Sequence, residues 1–382
     1  MQHKSWDIFC QVIDNFGDAG VAWRLARQLA SEHAIRVRLW INDLTVFRRL
    51  CPQCRSDLAT QCCQGVEIRA WVEDFPEVMP ASVVVEAFGC RLPPNYLIAM
   101  SRLDPQPIWI NLEYLSAESW VRTHHGLSSP HPSLPLTKYF FFPGYQHGTG
   151  GVLREQSLLQ QRAHFQHSET SAFWQSLGLA LSRPDALHVS LFAYENAGLS
   201  ALLDTWSQHH QPIVCLIPEG KIVPQVATWL GVAELPTGAV HRRAHLEFHV
   251  LPFLDPDNYD RLLWACDINF VRGEDSCVRA QWAAKPFVWQ AYPQHENAHW
   301  AKLDALSALY TESLPQAEAR AVSGLWRAWN GQGEIADAWA EFLRLKPALD
   351  KHAQQWPKRL AEPGDLATNL RAFVEAQQAA LK

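Results

Sequence analysis

Apolar residues along the chain fall in short runs separated by stretches of helical length, the pattern of a sheet whose strands are joined through helices. The first run, about Asp7 to Val12, passes through a Gly-containing turn into a helix-like segment from about Gly20 to Glu32, and then into a second run from about Ile35 to Ile41. That order predicts a βαβ unit. Val83-Val84-Val85 and Ile108-Trp109-Ile110-Asn111-Leu112 predict further buried strands, with turn signals at Gly89 and Pro93-Pro94 between them. From His124 to Pro143 the chain is rich in Pro, Ser and His, which predicts a long surface loop. A helix is expected at about Thr170 to Leu177. A second alternation then begins, with short apolar runs at Leu187 to Phe192, Ile213 to Ile217, Leu246 to Leu251, Ile268 to Val271 and Phe287 to Gln290. These predict a second doubly wound domain. After a break at Pro363-Gly364, Leu366, Leu370, Phe373 and Val374 recur at helical spacing, so a final amphipathic helix needs a partner face. The expected fold class is α/β, with two facing Rossmann-like domains, residues 1–170 and 180–358, whose ligand edges meet across one cleft.

Composition narrows the function classes. At 382 residues with 48% hydrophobic and 19% charged, the chain is globular and long enough for two cores. Lys and Arg total 33 against 39 Asp and Glu, a formal charge of -6, so the footprint for general nucleic-acid binding is missing. No run of uncharged apolar residues is long enough to span a membrane. The N-terminal segment carries a lone Lys4 and no apolar core of a signal peptide, so a cytoplasmic location is expected. Nine cysteines, an odd number, then read as reduced thiols. Cys51-Pro52-Gln53-Cys54 followed by Cys62-Cys63 suggests zinc, but the second pair lacks the two-residue spacer, and plain thiols are favoured.

Candidate chemistry concentrates at strand ends. Asp14-Asn15-Phe16-Gly17-Asp18-Ala19-Gly20 joins the first strand to its helix, where open α/β sheets bind ligands. Asn15 stands where a dinucleotide fingerprint has its first glycine, which makes a nicotinamide cofactor a weak reading despite Asp43. Two aspartates on one turn repel anions and suit a cationic or proton-losing substrate. Glu113-Tyr114 follows another strand and reaches the same edge, although a helix-capping Glu is favoured. In the second domain, Val271-Arg272-Gly273-Glu274-Asp275-Ser276-Cys277-Val278 is a strand end opening a helix. It suits either a diphosphate with sugar hydroxyls or a helix that caps itself. Phe192 and Tyr194 follow that domain's first strand and Phe253 its third, as base-stacking or core aromatics. His295-Glu296-Asn297-Ala298-His299 matches H-E-x-x-H without a recognisable further ligand, and the exposed start of a helix is favoured. Asp255-Pro256-Asp257 reads as a turn capping a helix, and no bound metal is expected.

Taken together, Asp14-Asn15-Phe16-Gly17-Asp18-Ala19-Gly20-Val21 and Arg272-Gly273-Glu274-Asp275-Ser276, at this separation, resemble the bacterial arginine rhamnosyltransferases that modify elongation factor P. The resemblance spans nearly the whole chain. It implies a glycosyltransferase of the B-type fold whose C-terminal helix, 363–382, crosses back to the first domain. The implied reaction moves L-rhamnose from dTDP-β-L-rhamnose to an arginine guanidinium of elongation factor P, with inversion and without a metal or other cofactor. The modified factor would then rescue ribosomes stalled at polyproline. By the same resemblance Asp18 is the catalytic aspartate and Asp14 its companion, on an acceptor-binding first domain, with Asn15, Phe16 and Gly17 in the substrate-binding turn. Phe253 would lie near thymine, Tyr194 and Ser276 near the diphosphate, and Arg272, Glu274 and Asp275 around diphosphate and sugar, with Phe192 a further nucleotide-sugar contact.

The residues themselves fit such chemistry. A guanidinium has a pKa above about 12 and delocalised lone pairs, so it must be held and deprotonated together, which two carboxylates on one turn can do. The rival from another class is a non-catalytic nucleotide-sugar-binding or regulatory protein on the same fold, whose aspartates would only cap the helix after Gly17.

Overall fold

The computed structural model describes residues 5–12, 16–179, 185–293 and 298–380. The chain divides into two units, residues 1–156 with 360–382, and residues 157–359. The boundary falls earlier than the expected 170–180. The reason is that Phe165 packs on Phe173 and Trp264, at 5.5 Å each, and the Arg162 guanidinium donates to the Trp282 carbonyl, tying this segment to the second unit.

The first unit is built on strands β1 (Ser5–Cys10), β2 (Arg36–Ile41), β3 (Thr60–Cys63), β4 (Val66–Ala70), β5 (Val83–Ala87), β6 (Ile108–Leu112), β7 (Ser128–Pro130) and β8 (Thr137–Phe141). They form one sheet in the order β3-β4-β2-β1-β5-β6-β8-β7, parallel except at its two edges. The central strands are buried on both faces, which is why they read as continuous apolar runs. Asp7 interrupts β1 and is fully buried. Arg38 grips it through two bonds of 2.6 Å, and the Trp40 indole, the Ala81 N–H and the Tyr96 hydroxyl also donate to it. Every lone pair of that carboxylate is thereby engaged, the condition for keeping it inside.

Helices α1 (Gly17–His33), α2 (Leu44–Leu50), α3 (Pro94–Ser101) and α4 (Val121–His124) connect the strands. The stretch from His124 to Pro143, expected to be a loop, instead contains β7 and β8. Its Ser and Pro residues are compatible with strand because β7 is the outermost strand, where a missing N–H costs no ladder bond. The β3–β4 hairpin is also absent from the periodicity. It turns on Gln64 and Gly65, both with positive φ.

The second unit opens with α5 (Leu158–His164), a π-helical turn (Phe165–Glu169) and α6 (Thr170–Ser176). Its sheet is made of β9 (Leu187–Leu191), β10 (Ile213–Pro218), β11 (Val240–Arg243), β12 (Leu246–Leu251), β13 (Ile268–Arg272) and β14 (Phe287–Gln290). The order is β11-β12-β10-β9-β13-β14, with only β11 antiparallel to its neighbour. Helices α7 (Leu199–Ser207), α8 (Val223–Leu230), α9 (Pro256–Ala265) and α10 (Asp275–Trp282) link these strands, and α11 (His299–Thr311), α12 (Gln316–Trp329), α13 (Ile335–Arg344) and α14 (Lys346–Leu360) follow. Much of the tryptophan goes here: Trp206, Trp326, Trp329 and Trp339 are buried, with Phe270 of β13 lying 5.5 Å from Trp206 and 5.1 Å from Trp329.

The last helix, α15 (Leu366–Ala380), belongs to the first unit. Phe373 finds the partner face that its periodicity demands, against Phe141 at 5.5 Å and Tyr139 at 5.8 Å. Gln28 of α1 donates to the Arg154 carbonyl and to Asp365, and Val152 bridges to Asp365. Among the described residues no helix is long and apolar enough to cross a membrane.

Both sheets reverse their strand order at the first strand of the unit. In one, β1 has β2 on one side and β5 on the other. In the other, β9 stands between β10 and β13. The carboxyl edges of these strands are the crevices in which open parallel sheets take their ligands.

Candidate active site

In the second unit the reversal lies between β9 and β13, and the residues just beyond those two strands meet. The Arg272 guanidinium, buried, sits 4.5 Å from the Phe192 ring and 4.4 Å from the Tyr194 ring. The rings flank a planar cation, fixing it by packing and by their quadrupoles. Arg272 ends β13, and Gly273 follows at φ 62, a conformation that a side chain would strain. The turn is closed by Ser276, whose hydroxyl accepts the Arg272 N–H at 3.1 Å and donates to the Arg272 carbonyl.

Helix α10 starts at Asp275, with Glu274 at its N-cap position and no side-chain hydrogen bond capping it there. Glu274 and Asp275 are half-buried at the helix mouth. A cation clasped by aromatics beside a helix N-terminus has the charge to receive an anionic group, and the adjacent carboxylates can accept from hydroxyls. Phe253 is half-buried just past β12, at the same edge but two strands from β9.

Several contributors had no signal in the sequence. Gln290, at the end of β14, accepts the Tyr194 N–H at 2.9 Å and donates to the Glu195 carbonyl, so it fixes the loop that carries Tyr194. Tyr292 packs edge-on to Tyr194 at 5.3 Å, Lys221 lies 5.9 Å from the same ring, and Tyr259 packs on Phe192 at 5.5 Å. Burial holds the Tyr259 phenol well above the usual range, so it stays protonated and can only donate or accept a hydrogen bond. Gly220 allows a close approach, because a Cβ there would stand 3.3 Å from Phe192.

In the first unit the corresponding edge belongs to β1 and β5. Asp18 lies in the first turn of α1 and is only 4% exposed. A carboxylate at that position is favoured by the helix dipole. Cys10 ends β1, and burial, then the charge of Asp18 in the helix that follows, pushes its thiol up. Phe16 holds the N-cap position of α1 without a side-chain capping bond, and Arg49 lies 5.7 Å from its ring. Gly17 is the first residue of the helix. Asp14 and Asn15 lie outside the described residues.

The alternative motifs resolve differently. Asp255 accepts the N–H groups of Asp257 and Asn258 at 3.1 and 3.0 Å and caps α9, as the turn reading predicts. Of the H-E-x-x-H match, 295–297 are outside the described residues, and His299 begins α11. Cys51, Cys54 and Cys63 do come together as buried thiols. Burial and then Cys63 push Cys51 up to about 12 and Cys54 up to about 11, so neither is a ready nucleophile at neutral pH. Among the described residues no group of three or more His, Cys, Asp or Glu is placed to hold a metal ion.

Comparison with known proteins agrees with this geometry. The family model described as the elongation factor P rhamnosyltransferase EarP matches residues 6–375. The protein-arginine rhamnosyltransferase of Pseudomonas putida is 49% identical over 97% of this chain and 98% of its own, and that of Pseudomonas aeruginosa is 47% identical with the same coverage. A solved structure described as the structural basis for EarP-mediated arginine glycosylation of translation elongation factor EF-P is 38% identical. It covers 97% of this chain and 99% of its own, with a TM-score of 0.71. A glycosyltransferase from Rickettsia africae, 10% identical with a TM-score of 0.55 over the full length of both chains, shares the fold alone. The two parallel-dominated α/β sheets are thus those of a B-type glycosyltransferase, and the chain belongs to the EarP family of protein-arginine rhamnosyltransferases.

Proposed function

We propose that this enzyme transfers L-rhamnose from dTDP-β-L-rhamnose to one arginine of elongation factor P, with inversion at the anomeric carbon. The observation that carries the donor assignment is the Arg272 guanidinium held between Phe192 and Tyr194 beside the start of α10. That arrangement supplies positive charge for the dTDP leaving group without a metal. Glu274 and Asp275 accept from the sugar hydroxyls, Ser276 keeps the turn in shape for the diphosphate, and Phe253 faces the base.

Asp18 acts on the acceptor. A guanidinium nitrogen attacks the anomeric carbon as the C–O bond to dTDP breaks, and the nitrogen's proton passes to the Asp18 carboxylate. Asp14 supports the guanidinium from the same turn, together with Asn15, Phe16 and Gly17. The names of the family and of the matching structure, both of which specify elongation factor P, support that acceptor. Modification would activate the factor at polyproline stalls, in the cytoplasm.

Intact-mass analysis tests the reading: elongation factor P is incubated with the enzyme and dTDP-β-L-rhamnose, with EDTA in one arm. A gain of one deoxyhexose in both arms is expected. No gain with a verified donor would refute the substrate pair, and a gain only without EDTA would refute the metal-free leaving-group step.

A further inference from the structure

Beyond Asp18, the carboxyl edge of the first sheet carries a second polar group built from β5, β6 and β8. Glu86 and Asn111 are register partners on β5 and β6, and Asn111 pairs in turn with Phe140 on β8. Glu86 is buried, and its carboxylate accepts from the Trp109 indole at 3.0 Å and faces the Lys138 ammonium at 3.5 Å. Asn111 is 3% exposed and donates through Nδ2 to the half-buried Glu113 carboxylate. Only the amide N–H₂ can bond a carboxylate, so the opposite end of the group is the carbonyl oxygen. That Oδ1 is buried and has no hydrogen-bond partner among the described residues.

An orphaned acceptor this deep costs about 1–3 kcal/mol, which a folded protein retains where a ligand supplies the donor. Beside it lies a carboxylate, so the missing partner is donor-rich and positively charged. The position is at the same strand ends as Asp18. Cys90 reaches the Phe9 carbonyl through its thiol at 3.2 Å and feels Glu86, while the adjacent Cys10 feels Asp18. Phe88, non-glycine at φ 58, and Gly89 at φ 68 follow β5, and Phe88 stacks on Tyr114 at 4.8 Å, leaving that tyrosine 36% exposed beside Glu113.

We propose that Asn111 Oδ1 and the Glu113 carboxylate form a subsite on the first unit that binds a positively charged, hydrogen-bond-donating side chain of the protein acceptor. It rests on the protein-acceptor reading above. Glu113 contributes negative charge, and Asn111 contributes an oriented neutral acceptor that cannot take the proton. Such a site holds the acceptor by charge and an oriented hydrogen bond, while deprotonation is assigned to Asp18. Tyr114 provides an aromatic face for the stem of the bound side chain.

The test is steady-state transfer to elongation factor P at saturating donor by wild type, Glu113→Gln and Asn111→Leu, with donor affinity measured by calorimetry and folding by thermal midpoint. Glu113 is half-buried, so Glu113→Gln keeps the fold even where Asn111→Leu does not. KM for elongation factor P should rise about tenfold or more in Glu113→Gln, with kcat changed by less than about threefold and donor affinity unaltered. Binding without donor to elongation factor P whose target arginine is replaced by alanine identifies the occupant. Weakening by Glu113→Gln only with the intact acceptor assigns the subsite to the target guanidinium, and weakening with both assigns it to a neighbouring cation. An acceptor KM and affinity equal to wild type in Glu113→Gln would overturn the subsite. Absence of transfer by wild type is a different result, which would overturn the acceptor assignment itself.

Discussion

The Arg272 guanidinium lies 4.4 Å from the Tyr194 ring, and Gln290 holds the Tyr194 backbone N–H at 2.9 Å, so the cation and the loop that covers it are positioned by two different strands. Arg272→Lys keeps the charge but loses the planar group that fits between two rings. Donor affinity should fall about tenfold by calorimetry, with the fold intact. Glu274→Ala and Asp275→Ala should also weaken donor binding, and unchanged affinity would remove those carboxylates from the sugar site.

Asp18→Asn removes a proton acceptor while conserving shape. Transfer should fall by about two to four orders of magnitude with donor affinity retained. Normal turnover by this variant would end the assignment of Asp18 as base and favour its role as a helix-end charge.

Gly151 is a test of how the C-terminal helix is held. Its φ is 73, and a Cβ there would stand 2.5 Å from the Gly364 carbonyl oxygen and 2.8 Å from the Asn369 amide. Asn369 itself donates to the Gly150 and Pro363 carbonyls, at 3.2 and 2.9 Å. Gly151→Ala should therefore destabilise the protein by about 2 kcal/mol or more, measured by denaturant unfolding, and make α15 the first segment to exchange its amides.

His125 gives a pH dependence. Burial against Phe141 at 4.6 Å lowers its pKa from the ordinary 6.5, an effect that the Phe142 carbonyl only partly offsets. Below about 6.5 the unfolded chain then binds a proton that the folded chain resists, so this contribution to stability is present at neutral pH and is lost as the pH falls through that window. Calorimetric midpoints should drop between about pH 7 and 5, and less steeply in His125→Gln. An identical slope in the variant would show that other groups carry the dependence.

Strand, turn and helix are local, so the alternation of elements and the identity of the turn residues, Asp18 after β1 and Arg272-Gly273-Glu274-Asp275-Ser276 after β13, were determined by sequence alone. The long apolar runs marked strands buried on both faces, and Asp255-Pro256-Asp257 marked its own cap. Periodicity reports how a segment buries its own side chains and is silent on which neighbour it meets. The order of strands, which makes β9 and β13 adjacent and so places Phe192 and Tyr194 around Arg272, was decided by tertiary packing. So were β7, whose polar residues become strand only at the sheet edge, β8, which pairs between β6 and β7, and Gln290, an ordinary residue until β14 brings it under Tyr194. Asn111 shows the same division: its place in an apolar run predicts a buried strand, but that its amide oxygen is orphaned beside Glu113 follows only from the pairing of β5, β6 and β8, because hydrogen-bond satisfaction depends on partners distant along the chain.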